Sequence, residues 1–146
     1  MIRKILLLTM FALLMNGCTA YRNDSLQRMQ TLPEHYAQFD AKLAWEVKAV
    51  EGSTVIDGVV QNIRYYEMSN LEVWVYSLDA NGKEVHRGVD FVYRLMENEA
   101  GPFTIKIPPV ASGTRLQFLY KYLGLNGDSE SADAVSWSQS FEARVP

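Results

Sequence analysis

Cys18 is the only cysteine of the 146-residue chain, and a lone thiol can serve as a nucleophile, a metal ligand or an attachment point. The first two uses need partners. A nucleophilic thiol works beside a base such as histidine, and a zinc site takes several Cys, His or carboxylate ligands. The chain has two histidines, His35 and His86. Nothing brings a serine and an acid to either one by a recognisable spacing, and no Gly-x-Ser-x-Gly elbow, His-Glu-x-x-His run or paired-cysteine motif occurs. Both histidines read as solvated surface residues, His35 near Glu34 and Asp40, His86 flanked by Glu84 and Arg87. Asn126, Asp128, Glu130 and Asp133 gather oxygens of the kind that hold calcium. Their spacing is not that of an EF-hand loop, and Asp, Ser and Gly runs are ordinary turn chemistry. No catalytic residue, metal site or cofactor is assigned, and the chain reads as a non-enzyme.

Attachment is the remaining use of the thiol. Arg3 and Lys4 open the chain, Ile5 to Met15 form an almost unbroken apolar run, and Asn16 and Gly17 lead into Cys18. A basic start, a short apolar stretch and a small residue before the cut are expected of a secretory signal peptide. The run is too short to span a bilayer as a helix, which takes about 20 residues.

The Gly17-Cys18 junction resembles the lipobox that ends a bacterial lipoprotein signal, with Met15 and Asn16 where that family prefers Leu and a small residue. The resemblance implies a diacylglycerol on the Cys18 sulfur, cleavage just before it and acylation of the new amino group. Thr19 follows the cysteine, where an Asp would signal inner-membrane retention. The pattern therefore implies the periplasmic face of the outer membrane. An ordinary cleavage site fits as well: Cys18-Thr19-Ala20 has small residues at its first and third positions, so cleavage before Tyr21 would release an unanchored protein. The expected division is signal peptide 1–17, tether 18–39 and one domain over 40–146.

The elements that would carry a site lie in that domain. The leader holds Arg3 and Lys4 and no acid, so removing it takes the formal charge from −3 to −5. A mildly acidic chain with scattered basic residues lacks the basic stripe of a nucleic-acid binder. With no cysteine pair, the domain must stand on its hydrophobic core.

Period-two patterning runs through most of residues 40–146. Leu43, Trp45 and Val47 alternate with polar or small residues, and Ile56, Gly58, Val60 and Asn62 share a face. Leu71 to Leu78 is apolar on both faces, as expected of a strand central to a sheet or partly covered outside. Asn81-Gly82 then marks a hairpin. Val89, Phe91, Tyr93 and Leu95 fall in phase, and three further alternating runs cover Phe103–Ile107, Leu116–Tyr122 and Val135–Ala143. About seven short strands, with turns between them and no convincing helix, predict an all-β protein. Its fold is an antiparallel two-sheet sandwich. Trp45, Val60, Val73, Phe91, Ile105, Phe118, Tyr120, Trp137 and Phe141 are the expected core.

Gly58-x-Val60-x-Asn62, Val73-x-Val75, Asp79-x-x-Gly82 and Pro102-Phe103-x-Ile105 resemble the small immunoglobulin-like sandwiches of bacterial envelope proteins, including FxLYD-type domains, over roughly residues 43–123. The resemblance implies an immunoglobulin-like fold, often found behind a lipoprotein signal.

Aromatic residues outside the core phase are the candidates for binding. Trp74 and Tyr76 point away from Val73 and Val75, and Tyr65 and Tyr66 lie in a loop at one end of the sandwich. The competing reading is that residues 21–39 fold back and cover Trp74 and Tyr76. The expected function is a non-catalytic interaction or accessory module of the cell envelope. It would be held to the membrane through lipidated Cys18 and would contact an envelope protein or a glycan. The alternative is a soluble exported sandwich carrying a small ligand between its sheets or at its loop end.

Overall fold

The structure, a computed structural model, describes residues 24–127 and 134–146. Cys18 and the leader, together with Asp128, Glu130 and Asp133, lie outside the described residues. A short helix α1 covers residues 24–31. Eight strands follow: β1 Glu34–Ala37, β2 Ala41–Val50, β3 Ser53–Asn62, β4 Glu67–Leu78, β5 Glu84–Met96, β6 Ala100–Ile107, β7 Arg115–Leu125 and β8 Val135–Arg144. They form two four-stranded sheets, in the orders β1-β2-β3-β6 and β5-β4-β7-β8, with every pairing antiparallel. The sandwich expected from the alternation is present.

β7 shows why alternation specifies a sheet. Leu116, Phe118, Tyr120 and Tyr122 are buried between the sheets, while Arg115, Gln117, Leu119 and Lys121 stay partly open to solvent. Across the gap they meet Leu43, Trp45, Ile56, Val60, Phe103 and Ile105 in one core. Trp45, Phe118 and Phe141 form an aromatic cluster, with Phe118 stacked on Phe141 at 4.9 Å between centroids. Gly58 makes room for the neighbouring Phe103 ring. It pairs with Trp45 on one side and Phe103 on the other, and a Cβ there would lie 2.4 Å from Phe103 Cζ and 2.6 Å from the Ala44 carbonyl oxygen.

The hairpin at Asn81-Gly82 forms as expected. Asp79 Oδ1 accepts from the N–H groups of Asn81 and Lys83, at 2.9 and 2.8 Å, and Gly82 takes a φ of 80°.

Three expectations are corrected. Part of the segment assigned as a tether belongs to the body: β1 pairs with β2 from Glu34↔Trp45 to Ala37↔Lys42. Helix α1 and the residue after it lay Met29 and Leu32 on Ala44, Val59 and Ala100, which face outward from the first sheet. Arg28 pins the helix through an ion pair to Asp57 at 2.6 Å. The physical cause is that Ala44 and Val59 are too apolar for an open face, and the helix covers them.

Phe91 is not in the core; it is 65% exposed. Asn70 explains the reversal. It takes a left-handed φ of 51°, and the β4–β7 register slips between Ser69 and Glu72, so an extra residue bulges out of β4. Met68 and Leu71, three apart, both point inward as a result. Their partners on β5, Leu95 and Val92, follow them in, which leaves Phe91 and Tyr93 outside. Trp137 and Phe141, also expected in the core, pack against it but are only partly buried.

Candidate functional site

The outer face of the second sheet carries the site. Cross-strand pairing sets Val89, Trp74, Leu119 and Ser140 in one row across β5, β4, β7 and β8. The next row is Phe91, Glu72, Lys121 and Ser138, and on the other side lies Arg87, Tyr76, Gln117 and Glu142. Helix α1 covers the opposite sheet, so residues 24–39 do not shield Trp74 and Tyr76.

Glu72 organises this face. Its Oε2 accepts from Trp74 Nε1 at 2.7 Å and pairs with Lys121 Nζ at 3.0 Å. Lys121 Nζ also stands 5.4 Å from the centre of the Trp74 ring. Desolvation pushes the Glu72 carboxyl up, but hydrogen bonds from Lys121 and Trp74 and the Lys121 charge outweigh it and hold the group below its ordinary value. Trp74 and Tyr76 are half-buried, with parallel rings 6.2 Å apart. Along the β5 margin Val85, Phe91 and Tyr93 are exposed by 55, 65 and 83%. An indole fixed by a carboxylate, a stacked phenol and a bare aromatic margin form a contact face of the kind enriched in binding hot spots.

Of the residues singled out in the sequence, Trp74 and Tyr76 are on this face and Tyr65 and Tyr66 are not. Tyr65 is buried, packed on Gly124 and 5.6 Å from the Tyr122 ring. It is held there by Asn62, whose Oδ1 accepts from Tyr65 N–H at 3.0 Å and whose Nδ2 donates to the Tyr65 carbonyl at 2.7 Å. Its expected binding role is thereby corrected to a packing one. Tyr66 is exposed at the end of the sandwich, and its carbonyl accepts from Glu97 N–H at 3.0 Å. His35 is exposed on β1 and His86 half-buried on β5, at separate places in the fold. Among the described residues no group of three or more His, Cys, Asp or Glu side chains is placed to hold a metal ion.

Sequence reasoning missed Asp40, which is fully buried just before β2. Its two oxygens accept from Tyr120 and Tyr122, at 2.8 and 2.6 Å. It missed Phe91 and Tyr93 as surface residues, because only the Asn70 bulge sets their phase. It also missed a cleft of about 570 Å³ beside α1, lined by Leu26, Met29, His35, Lys42, Leu43 and Gln61 among others.

No protein-family profile matches the chain, and no curated protein matches it in sequence. Solved structures do match in fold. The GAE domain of GGA2p from Saccharomyces cerevisiae superposes with a TM-score of 0.52 at 11% identity, over 78% of this chain and 98% of that one. The GAE domain of yeast GGA1 gives a TM-score of 0.49 at 10% identity, over 77% and 97%. At such identities the likeness is one of fold, and it places the chain among immunoglobulin-like β-sandwiches.

Proposed function

We propose that the chain is a non-catalytic interaction module of the cell envelope, lipid-anchored through Cys18 at the periplasmic face of the outer membrane, and that the Trp74–Tyr76 face is its contact surface. One observation carries the reading: the first sheet has its apolar outer face covered by α1, whereas the second sheet leaves Phe91, Tyr93 and Val85 exposed beside Trp74. A partner protein or glycan would be recognised by aromatic contact, with the Glu72–Lys121 pair supplying polar groups. The Gly17-Cys18 junction supports the anchor, since two or three acyl chains hold a small domain to a bilayer far more firmly than one.

The test has two parts. Detergent partitioning of wild type and Cys18→Ser reads the anchor; equal aqueous partitioning of both would remove it. A photo-crosslinking probe at Tyr76 or Phe91, compared with one at Lys106 on the opposite sheet, reads the contact face. Identical adduct patterns from the two faces would remove that part.

The second reading, a soluble exported carrier of a small ligand, is favoured by the cleft beside α1, whose volume of about 570 Å³ suits a small molecule. Met29→Trp would fill that cleft and abolish uptake of such a ligand without changing crosslinking at Phe91.

A further inference from the structure

The two sheets end in four strand edges, and three of them are guarded. β1 is only four residues long. β6 carries Pro102, and the N–H of its Thr104 is already bound to Asp90 Oδ2 at 2.7 Å. On β5 the same Asp90 accepts from its neighbour's backbone, the Phe91 N–H, at 2.8 Å. An inward-pointing charge on an edge strand is a device against strand addition. β8 has no such device. It is ten residues long, and from residue 135 to 141 it holds neither proline nor charge. It forms the outer edge of its sheet, and the contacts from β1 come from side chains: Tyr36 stacks on Phe141 at 3.7 Å and its hydroxyl accepts from Gln139 at 3.5 Å.

A second observation points to the same side. The inward residues of β7 are buried, whereas Trp137, Phe141 and Ala143 on β8 are only partly buried. Among the described residues, the buried indole N–H groups of Trp45 and Trp137 have no hydrogen-bond partner. Buried donors of this kind are nearly always paired. Trp45 lies against Phe141 of β8, at 5.5 Å between centroids, and Trp137 belongs to β8 itself. The core is therefore less complete along β8 than elsewhere.

We propose that β8 is a strand-addition edge and that its occupant is a second copy of this chain, paired β8 to β8 antiparallel about a two-fold axis normal to the sheet. The outward row is Ser136, Ser138, Ser140, Glu142 and Arg144. In a two-fold pairing centred on any residue from 139 to 141, Glu142 and Arg144 face serines or Ala134, and no charge meets its like. Like charges directly opposite would destabilise such a pair, and a self-complementary patch is what a two-fold interface requires. The product is one continuous sheet that carries both copies' Trp74 and Tyr76 on the same side. It does not depend on the anchor.

The experiment places cysteine at Ser136, Ser138 or Ser140 in the full-length chain, with Tyr93→Cys on β5 as control and unsubstituted chain as background for Cys18. A short bis-maleimide is applied to intact cells. Cross-strand Cβ atoms lie about 4.5–5.5 Å apart, well within its span. The expected result is a covalent dimer from at least one β8 position at five or more times the Tyr93→Cys yield. It is lost when the two neighbouring serines become lysine, and it is unchanged by Cys18→Ser. Equal yields from β8 and β5, a dimer that survives the lysines, or an adduct to a different polypeptide in place of the dimer would each overturn the proposal.

Discussion

Asp40, at the entrance to β2, accepts a 2.6 Å hydrogen bond from the hydroxyl of Tyr122 on β7, so a single buried carboxyl group joins the two sheets. Its other oxygen accepts from Tyr120 at 2.8 Å, and its carbonyl takes the N–H of Ile63 at 3.0 Å. The group thus ties the first sheet, the β3–β4 connection and the second sheet together. Replacing Asp40 by alanine leaves two phenols without acceptors in the core. The expected loss is about 2–5 kcal/mol in urea unfolding. Tyr122→Phe, which removes one donor, is expected to cost roughly 1.5–3 kcal/mol.

The same arrangement fixes an alkaline limit. Desolvation first, and then the hydrogen bonds to Asp40, raise Tyr120 and Tyr122 far above the ordinary phenol value of 10.0. A raised acid of this kind contributes fully below the unfolded-state value and loses that contribution as pH rises beyond it. Stability is expected to hold up to about pH 10, then fall by up to about 1.4 kcal/mol per pH unit for each tyrosine. Phenolate absorbance from these two residues should appear only together with loss of the fold. Appearance of the full phenolate signal at pH 10.5 in a folded chain would contradict this.

Gly58→Ala forces a methyl group into the Phe103 ring and the Ala44 carbonyl. Overpacking of this kind costs about 1–3 kcal/mol. Phe103→Leu in the Gly58→Ala background should recover part of that loss. Simple additivity of the two substitutions in chemical denaturation would show that the ring is not the obstacle.

Asn70→Val places a β-branched residue at a φ of 51°. The expected loss is about 1–2 kcal/mol, whereas Asn70→Gly should stay within about 0.5 kcal/mol of wild type. Equal effects of the two would mean that the bulge can relax away.

Phe91→Ser should change stability by no more than about 0.5 kcal/mol because the ring lies outside, whereas Phe103→Ala should cost about 3–5 kcal/mol. Thermal melts of the two variants separate them, and a large loss from Phe91→Ser would return that ring to the core.

These residues also mark what the sequence could reveal. β7 was readable because Leu116, Phe118, Tyr120 and Tyr122 alternate with Arg115, Gln117, Leu119 and Lys121, three of them polar, and period two leaves one face for the large apolar and aromatic set. β5 alternates just as clearly, yet its phase is set by Asn70 on the adjacent strand. No reading of β5 alone could choose between Phe91 and Val92. Asp40 drew no notice in the sequence because only the fold brings it to two tyrosines 80 and 82 positions away. Tyr65 looked like a loop aromatic because its burial depends on Asn62 and on the missing side chain of Gly124. The docking of α1 did leave a trace: Ala44 and Val59 are apolar at outward positions, as a covered face demands. Trp74 and Tyr76 were legible as outward residues, but which sheet would be covered was not.

The seat of α1 sets an orientation. If Cys18 is held in a bilayer, six peptide steps separate it from Asp24 at the start of the helix, a contour of roughly 20 Å at most. The helix rests on the first sheet, so under such an anchor this short leash would turn that side of the body toward the lipid headgroups. The indole and phenol rings on the far side are then presented to whatever passes through the aqueous space, more like an outstretched palm than a float on a long line.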